Sequence, residues 1–208
     1  MSIFLNKLLL AIFVLGLFFS SPLQGAHLIP INDLKNESLK EEWVKFDSKK
    51  DGFSVNLPKK PEHVEQTIDV PNTDLKISYD TYLSEPNENI VYVISVWHYP
   101  VQVDMSKPEV NLQDGFTGML SALPGSEILN IKMSELQGYK SLEFLVENED
   151  VYFQGMLILV HNTLYQVFTV YKNTIDVKND CMHFIESFNL VNPEQQKLNG
   201  QRNGEVNF

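Results

Sequence analysis

Three observations predict an α+β domain: an antiparallel sheet with one helix inserted mid-chain and another at its end. From residue 53 onward apolar residues alternate with a period of two. Twice, at 108–123 and 177–188, the period switches to helical spacing. No linker, internal repeat or second composition zone divides residues 53–190, so a single domain is expected.

The chain opens on a secretory pattern. Lys7 precedes an apolar run at 8–19, and Ser-Ser-Pro-Leu-Gln-Gly-Ala follows at 20–26. Twelve apolar residues fall short of the roughly 20 that span a bilayer as a helix. Cleavage after Ala26 is therefore expected, although Gln24 is bulky for the third position before the cut; a retained membrane anchor is the alternative. The destination this implies is extracytoplasmic, most simply the periplasm, with secretion left open.

Cys181 is the single cysteine, which excludes an internal disulfide and, by its position, a lipid-modified N-terminal cysteine. The fold must then rest on its core, which a domain of about 150 residues can supply. The formal net charge is −11, and removal of residues 1–26 leaves 15 basic against 27 acidic residues, or −12. Phosphate would be repelled and no Lys/Arg stripe offsets the acidity, so no nucleic-acid partner is expected. Anionic membrane surfaces are disfavoured for the same reason.

Residues 27–50 read as a leader holding at most one short helix, because Leu34, Leu39, Trp43 and Phe46 are irregularly spaced. Strands follow. Phe53, Val55 and Leu57 alternate with polar residues up to Pro58; Val64, Gln66, Ile68 and Val70 do so up to Pro71; Leu75, Ile77, Tyr79 and Leu83 come next. Residues 90–99 are apolar on both parities, with Tyr92, Ile94 and Val96 opposite Val91, Val93 and Trp97. A strand of this kind belongs inside a sheet covered on both faces.

Pro108 then marks a helix start, and Leu112, Phe116, Met119, Leu120 and Leu123 share one helical face before Pro124-Gly125 ends it. Gly115 and Gly118 each cost about 1 kcal/mol in a helix interior, which points to close packing on the sheet or local irregularity. Strand signals return at 128–133, 139–146, 151–160 and 164–171. His161-Asn162-Thr163 reads as a hairpin link, with Asn162 suited to positive φ. Val177, Cys181, Phe184, Ile185 and Phe188 make the closing amphipathic helix, and 192–208 is a polar tail expected to be disordered.

The chain contains no Gly-x-Ser-x-Gly, His-Glu-x-x-His, phosphate-binding glycine loop, calcium loop or Cys-x-x-Cys. Scattered residues remain. Asp176, Asp180 and His183 recur at i, i+4 and i+7 of the closing helix, a spacing that could converge on a metal ion; the solvent face of any acidic helix bearing one histidine has the same pattern. Trp97, His98 and Tyr99 end the most apolar strand and are the ligand-binding candidates, His98 as a perturbed acid or base or simply as a hydrogen-bonded core residue. Trp97, Tyr99, Tyr152, Phe153, Tyr165, Phe168 and Tyr171 could line a cleft, or could be ordinary strand packing. Cys181 lies on the apolar helix face with no cation beside it, which reads as inert.

Phe53-Ser54-Val55-Asn56-Leu57-Pro58-Lys59-Lys60-Pro61 resembles the Phe-x-Val-x-Phe-Pro-x-x-Pro opening of bacterial PsbP-like domains (the Mog/PsbP type). Leu164-Tyr165-Gln166-Val167, followed by a helix closing in Phe184-Ile185-Glu186-Ser187-Phe188-Asn189-Leu190, resembles their end. The resemblance spans about 46–190 and implies an antiparallel sheet flanked by helices in an α/β/α sandwich. Members are mostly non-enzymatic binding or assembly modules, such as the lumenal subunit of the photosynthetic oxygen-evolving complex and a nuclear Ran-binding import factor. No family site residue matches a position here, and export argues against a Ran partner.

The expectation is thus an exported, non-catalytic binding or envelope-assembly module with no cofactor, whose partner is an envelope protein. The alternative is a carrier holding a small apolar or aromatic ligand between sheet and helix, near Trp97 and the glycine-containing helix. An enzyme would need His98, or the Asp176, Asp180 and His183 group, to form a site.

Overall fold

The computed structural model describes residues 43–70, 72–102, 104–172 and 177–191. The expected signal peptide at 1–26, the rest of the leader up to residue 42, Asp176 and the polar tail at 192–208 lie outside the described residues.

The chain runs β1 (Val44–Ser48), β2 (Phe53–Leu57), β3 (Glu62–Asp69), β4 (Lys76–Asn87), β5 (Ile90–His98), α1 (Pro108–Ser121), β6 (Glu127–Leu136), β7 (Tyr139–Asn148), β8 (Val151–Val160), β9 (Thr163–Lys172), α2 (Lys178–Ser187) and β10 (Asn189–Leu190). Seven strands pair antiparallel in the order β3-β4-β5-β9-β8-β7-β6, and β1-β2-β10 form a small second sheet. β5 and β9 sit at the centre, and Ile90 to Trp97 is buried throughout, as its two-sided apolar pattern requires.

Because successive strand side chains point to opposite faces, the sheet divides its apolar residues between two cores. One gathers Val91, Val93, Phe144, Phe153 and Phe168 against Leu112, Phe116 and Met119 of α1. The other gathers Tyr92, Ile94, Ile158 and Val167 against Cys181 and Phe184 of α2 and Phe53, Val55 and Leu57 of β2. Each fully buried Leu, Ile or Phe contributes about 1.5–3 kcal/mol.

Pro108 opens α1 with Glu109 in its first turn, where an acid faces the positive end of the helix. Gly155 of β8 is required by packing: a Cβ there would lie 2.1 Å from the Val167 carbonyl oxygen and 2.4 Å from the Phe168 Cβ.

Several expectations are corrected. Within residues 27–50, Val44–Ser48 is a strand paired with β2, because its partner is supplied by the next segment and not by local helical spacing. Positive φ in the β8–β9 turn falls on His161 (φ 50°), the first turn residue. β3 is not half-buried: it is an edge strand with Val64 exposed. The α/β/α layering is also only partial, and the molecule is a sheet-dominated α+β fold with two helices among the described residues. Seven strands at ~4.8 Å span about 29 Å, whereas a single helix is about 10 Å wide. One helix per face therefore leaves both edge strands largely uncovered, and a small sheet shares the face of α2.

Candidate functional site

Trp97 and His98 are consecutive in β5, so the pleat sends them to opposite faces. Each lies in a distinct polar arrangement.

On the α2 face, the β1–β2 turn brings Asp51 against the sheet. Gly52 takes φ 65° and donates to the Ser48 carbonyl at 2.9 Å, which turns Asp51 inward. Asp51 and Asp80 are each only 1% exposed. Asp51 Oδ2 accepts from the Tyr82 hydroxyl at 2.5 Å and the Ser48 hydroxyl at 3.1 Å, while Oδ1 lies 3.2 Å from His98 Nε2. The Tyr165 hydroxyl donates to the Asp51 carbonyl at 2.6 Å. Burial alone would raise the Asp51 carboxyl. The bonds from His98, Tyr82 and Ser48 and the attraction of His98 outweigh it and hold the group below its ordinary range. Burial and the neighbouring Asp51 carboxylate push the Tyr82 hydroxyl well up.

Asp80 Oδ1 receives Lys50 Nζ at 2.9 Å and His63 Nε2 at 2.6 Å, and His63 stacks on Tyr82 with ring centroids 4.5 Å apart. Lys50 also meets Glu65 at 2.9 Å. Desolvation would lower the Lys50 amine, but its bonds to Asp80 and Glu65 prevail and raise it. Asp80 Oδ2 has no hydrogen-bond partner among the described residues. Its contact with His98 Nε2 is 3.8 Å, too long for a hydrogen bond.

On the α1 face, a cleft of about 300 Å³ opens between α1 and the ends of β5, β8 and β9. Trp97, Tyr99, Met105, Leu159, Leu164 and Gln166 line it with Asn111, Asp114, Gly115 and Gly118 of α1, so that the wall is mostly apolar with polar residues on the helix side. The two glycines play different parts. A Cβ on Gly115 would come 3.2 Å from Leu164 Cδ2, whereas one on Gly118 meets nothing within 4 Å. Trp97 stacks on Tyr79 at 4.4 Å, and Tyr79 donates to Gln66. Burial raises the Tyr99 hydroxyl. Two polar atoms in this apolar wall, Trp97 Nε1 and Gln166 Oε1, are buried without a partner among the described residues. Asn162 holds the cleft's outer corner, accepting from Tyr99 N at 2.8 Å and donating to the Pro100 carbonyl at 3.2 Å.

The residues expected from sequence are therefore distributed over three places. Trp97 and Tyr99 share the cleft, and His98 faces the carboxylates behind it. Asp176 lies outside the described residues; Asp180 is exposed in the first turn of α2, and the His183 ring packs edge-on to Trp43 at 4.6 Å. Among the described residues, the group close enough to share an ion is instead Asp51, Asp80 and His98. Cys181 is buried beneath Thr169, whose hydroxyl lies 3.3 Å from Sγ, and burial pushes its thiol up to about 11. Asp51, Asp80 and Gln166 were not singled out by sequence reasoning. One signal existed for Asp80: it shares a parity with Tyr82 in the middle of a strand, where a charged residue is out of keeping with a buried face.

No family model matches the chain, and no curated protein matches it. Among solved structures the chain is similar to the cyanobacterial PsbP protein (CyanoP) of Synechocystis sp. PCC 6803, with a TM-score of 0.48, 13% identity, and coverage of 77% of this chain and 99% of that one. It is also similar to a protein of unknown function from Pseudomonas aeruginosa, with a TM-score of 0.34, 7% identity, and coverage of 80% and 96%. Neither likeness transfers a residue role to this chain.

Proposed function

We propose that this protein is an exported, non-catalytic binding module whose α1-face cleft holds a small, flat, mostly apolar ligand carrying one hydrogen-bond acceptor and one donor. The observation that carries this reading is a mostly apolar cleft lined by Trp97 and Gln166, whose Nε1 and Oε1 atoms are buried without a partner among the described residues. A buried polar atom without a partner costs about 1–3 kcal/mol, and a ligand acceptor at Trp97 with a donor at Gln166 would remove both penalties. The cleft volume of about 300 Å³ is at the small end of ligand sites. Gly118 keeps one wall open, which gives the helix-weakening glycine a use.

The test uses 6-acetyl-2-naphthylamine, a flat, mostly apolar aromatic probe with an amine donor and one carbonyl acceptor. Its fluorescence should rise on binding, and Gly118→Leu, which fills the cleft, should weaken binding at least tenfold while circular dichroism is unchanged. Absence of binding to the wild type, or equal affinity in the variant, overturns the reading. Export is tested by the intact mass of protein purified from its native envelope fraction, expected to begin at His27.

A second reading, an envelope-assembly role through a protein partner, is favoured by the edge strand β6, which exposes Ile128, Leu129, Ile131 and Met133 beside unpaired backbone groups. A photocrosslinker at Ile131 should then trap one defined envelope protein that the same probe at Val64, on the opposite edge, does not.

A further inference from the structure

We infer that Asp51, Asp80 and His98 form a binding site for a single divalent transition-metal ion on the α2 face, zinc being the first probe. One ligand atom from each of Asp51, Asp80 and His98 lies within 4.8 Å of the other two, and His98 Nε2 is 3.2 Å from Asp51 Oδ1 and 3.8 Å from Asp80 Oδ2. An ion about 2.0–2.1 Å from each of its nitrogen and oxygen ligands holds neighbouring ligand atoms ~3.3 Å apart in a tetrahedron. The two distances from His98 Nε2, 3.2 and 3.8 Å, bracket that value.

Hydrogen bonding leaves the same atoms unsettled. One proton on His98 Nε2 can serve Asp51 Oδ1, but among the described residues nothing serves Asp80 Oδ2, although the Asp80 side chain is 1% exposed. An unpaired buried carboxylate oxygen is costly, and an ion between the three atoms would satisfy it. Charge points the same way. Two buried carboxylates face one lysine, Lys50, which reaches Asp80 through its other oxygen and is shared with Glu65. Other groups around them include His63 on Asp80 Oδ1, the Tyr82 and Ser48 hydroxyls on Asp51 Oδ2, and Thr163, whose hydroxyl lies 3.4 Å from His98 Nδ1. These contacts occupy the outer atoms of the ligands and leave the inner ones convergent, which is how supporting hydrogen bonds orient a metal site. His98 is one-third exposed, so an ion can reach the site from solvent. Imidazole with two carboxylates suits zinc, and manganese at the oxygen-rich limit.

Because the site lies behind the cleft on the other face of β5, its failure would be distinguishable from failure of the ligand-binding reading. Calorimetric titration of the metal-free protein with zinc should give one ion per chain. Asp80→Asn and His98→Gln, both nearly isosteric, should each weaken affinity at least tenfold, and zinc should raise the wild-type melting temperature without raising theirs. Should either variant fail to fold, wild type loaded with cobalt(II) decides: nitrogen and oxygen ligation gives visible ligand-field bands, and a near-ultraviolet thiolate band, implicating Cys181, would overturn the assignment. Neither zinc nor manganese binding to wild type, unchanged affinity in both variants, or loss of binding in His183→Ala instead would also overturn it.

Discussion

Trp97 and His98 adjoin in one strand, yet the two faces they enter treat buried polarity in opposite ways. Behind His98, two buried carboxylates collect hydroxyls, an ammonium and two imidazoles, and among the described residues one of their oxygens, Asp80 Oδ2, is left without a hydrogen bond. Around Trp97 the cleft wall is mostly apolar, and a donor and an acceptor, Trp97 Nε1 and Gln166 Oε1, are buried without a partner among the described residues. Dense polar networks position groups firmly because every unmade bond in a low dielectric is expensive. An apolar cleft with two unpaired atoms is selective by waiting for a partner that supplies both. The comparison teaches that the network suits something small and charged, and the cleft something larger and mostly uncharged.

The largest test separates packing from binding on the cleft face. Gly155→Ala drives a methyl into the β9 backbone and the Phe168 side chain, so it should cost about 3 kcal/mol or more. Chemical denaturation would measure it. A cost below about 1 kcal/mol would mean that β8 and β9 yield easily and that the cleft wall between them is soft.

The network face is tested next by charge. Asp51→Asn keeps the shape but weakens bonds to a charged acceptor, so about 1.5–3 kcal/mol should be lost at neutral pH. The folded Asp51 carboxyl titrates below its ordinary value of 3.8. Its contribution is therefore complete above that value and is lost as pH falls through the lower, folded one. The gap between wild type and variant should accordingly close in acid below about pH 4. A gap that stays constant down to pH 2 would show that Asp51 acts by shape and not by charge.

Trp97→Phe deletes the unpaired indole donor while retaining an aromatic ring on Tyr79. Stability should change by less than about 1.5 kcal/mol, and affinity for the naphthylamine probe should fall. A large stability loss with unchanged affinity would place Trp97 in the core alone. The smallest effect is at Gly118, where open space and a helical position predict that Gly118→Ala gains about 0.5–1 kcal/mol in thermal unfolding. Loss instead of gain would show that the cleft wall needs the glycine backbone itself.

Much of the architecture was legible because periodicity is a local property. The alternation in 53–57 and 151–171, the two-sided run at 90–97 and the helical spacing of Leu112, Phe116 and Met119 each follow from side chains within a few positions of one another. The segment 44–48 was not legible, since its strand exists only by pairing with β2. Of the sites, Trp97, Tyr99 and the glycine-containing helix pointed to the cleft, because strong apolar patterning and an out-of-place glycine are both visible in one dimension. Gln166 was hidden as an ordinary polar residue in a strand. The acidic network was hidden more deeply: Asp51 and Asp80 are 29 positions apart and His98 18 further on. Only the tight turn at Gly52 and the antiparallel registers of β4, β5 and β9 bring them together. Sequence by itself thus determined most of the elements, their order and, apart from the edge strand β3, their buried faces, which depend on chemistry repeated along the chain. The tertiary structure alone decided which polar atoms converge and which go unpaired, because that depends on strand register and on contacts between residues far apart in sequence.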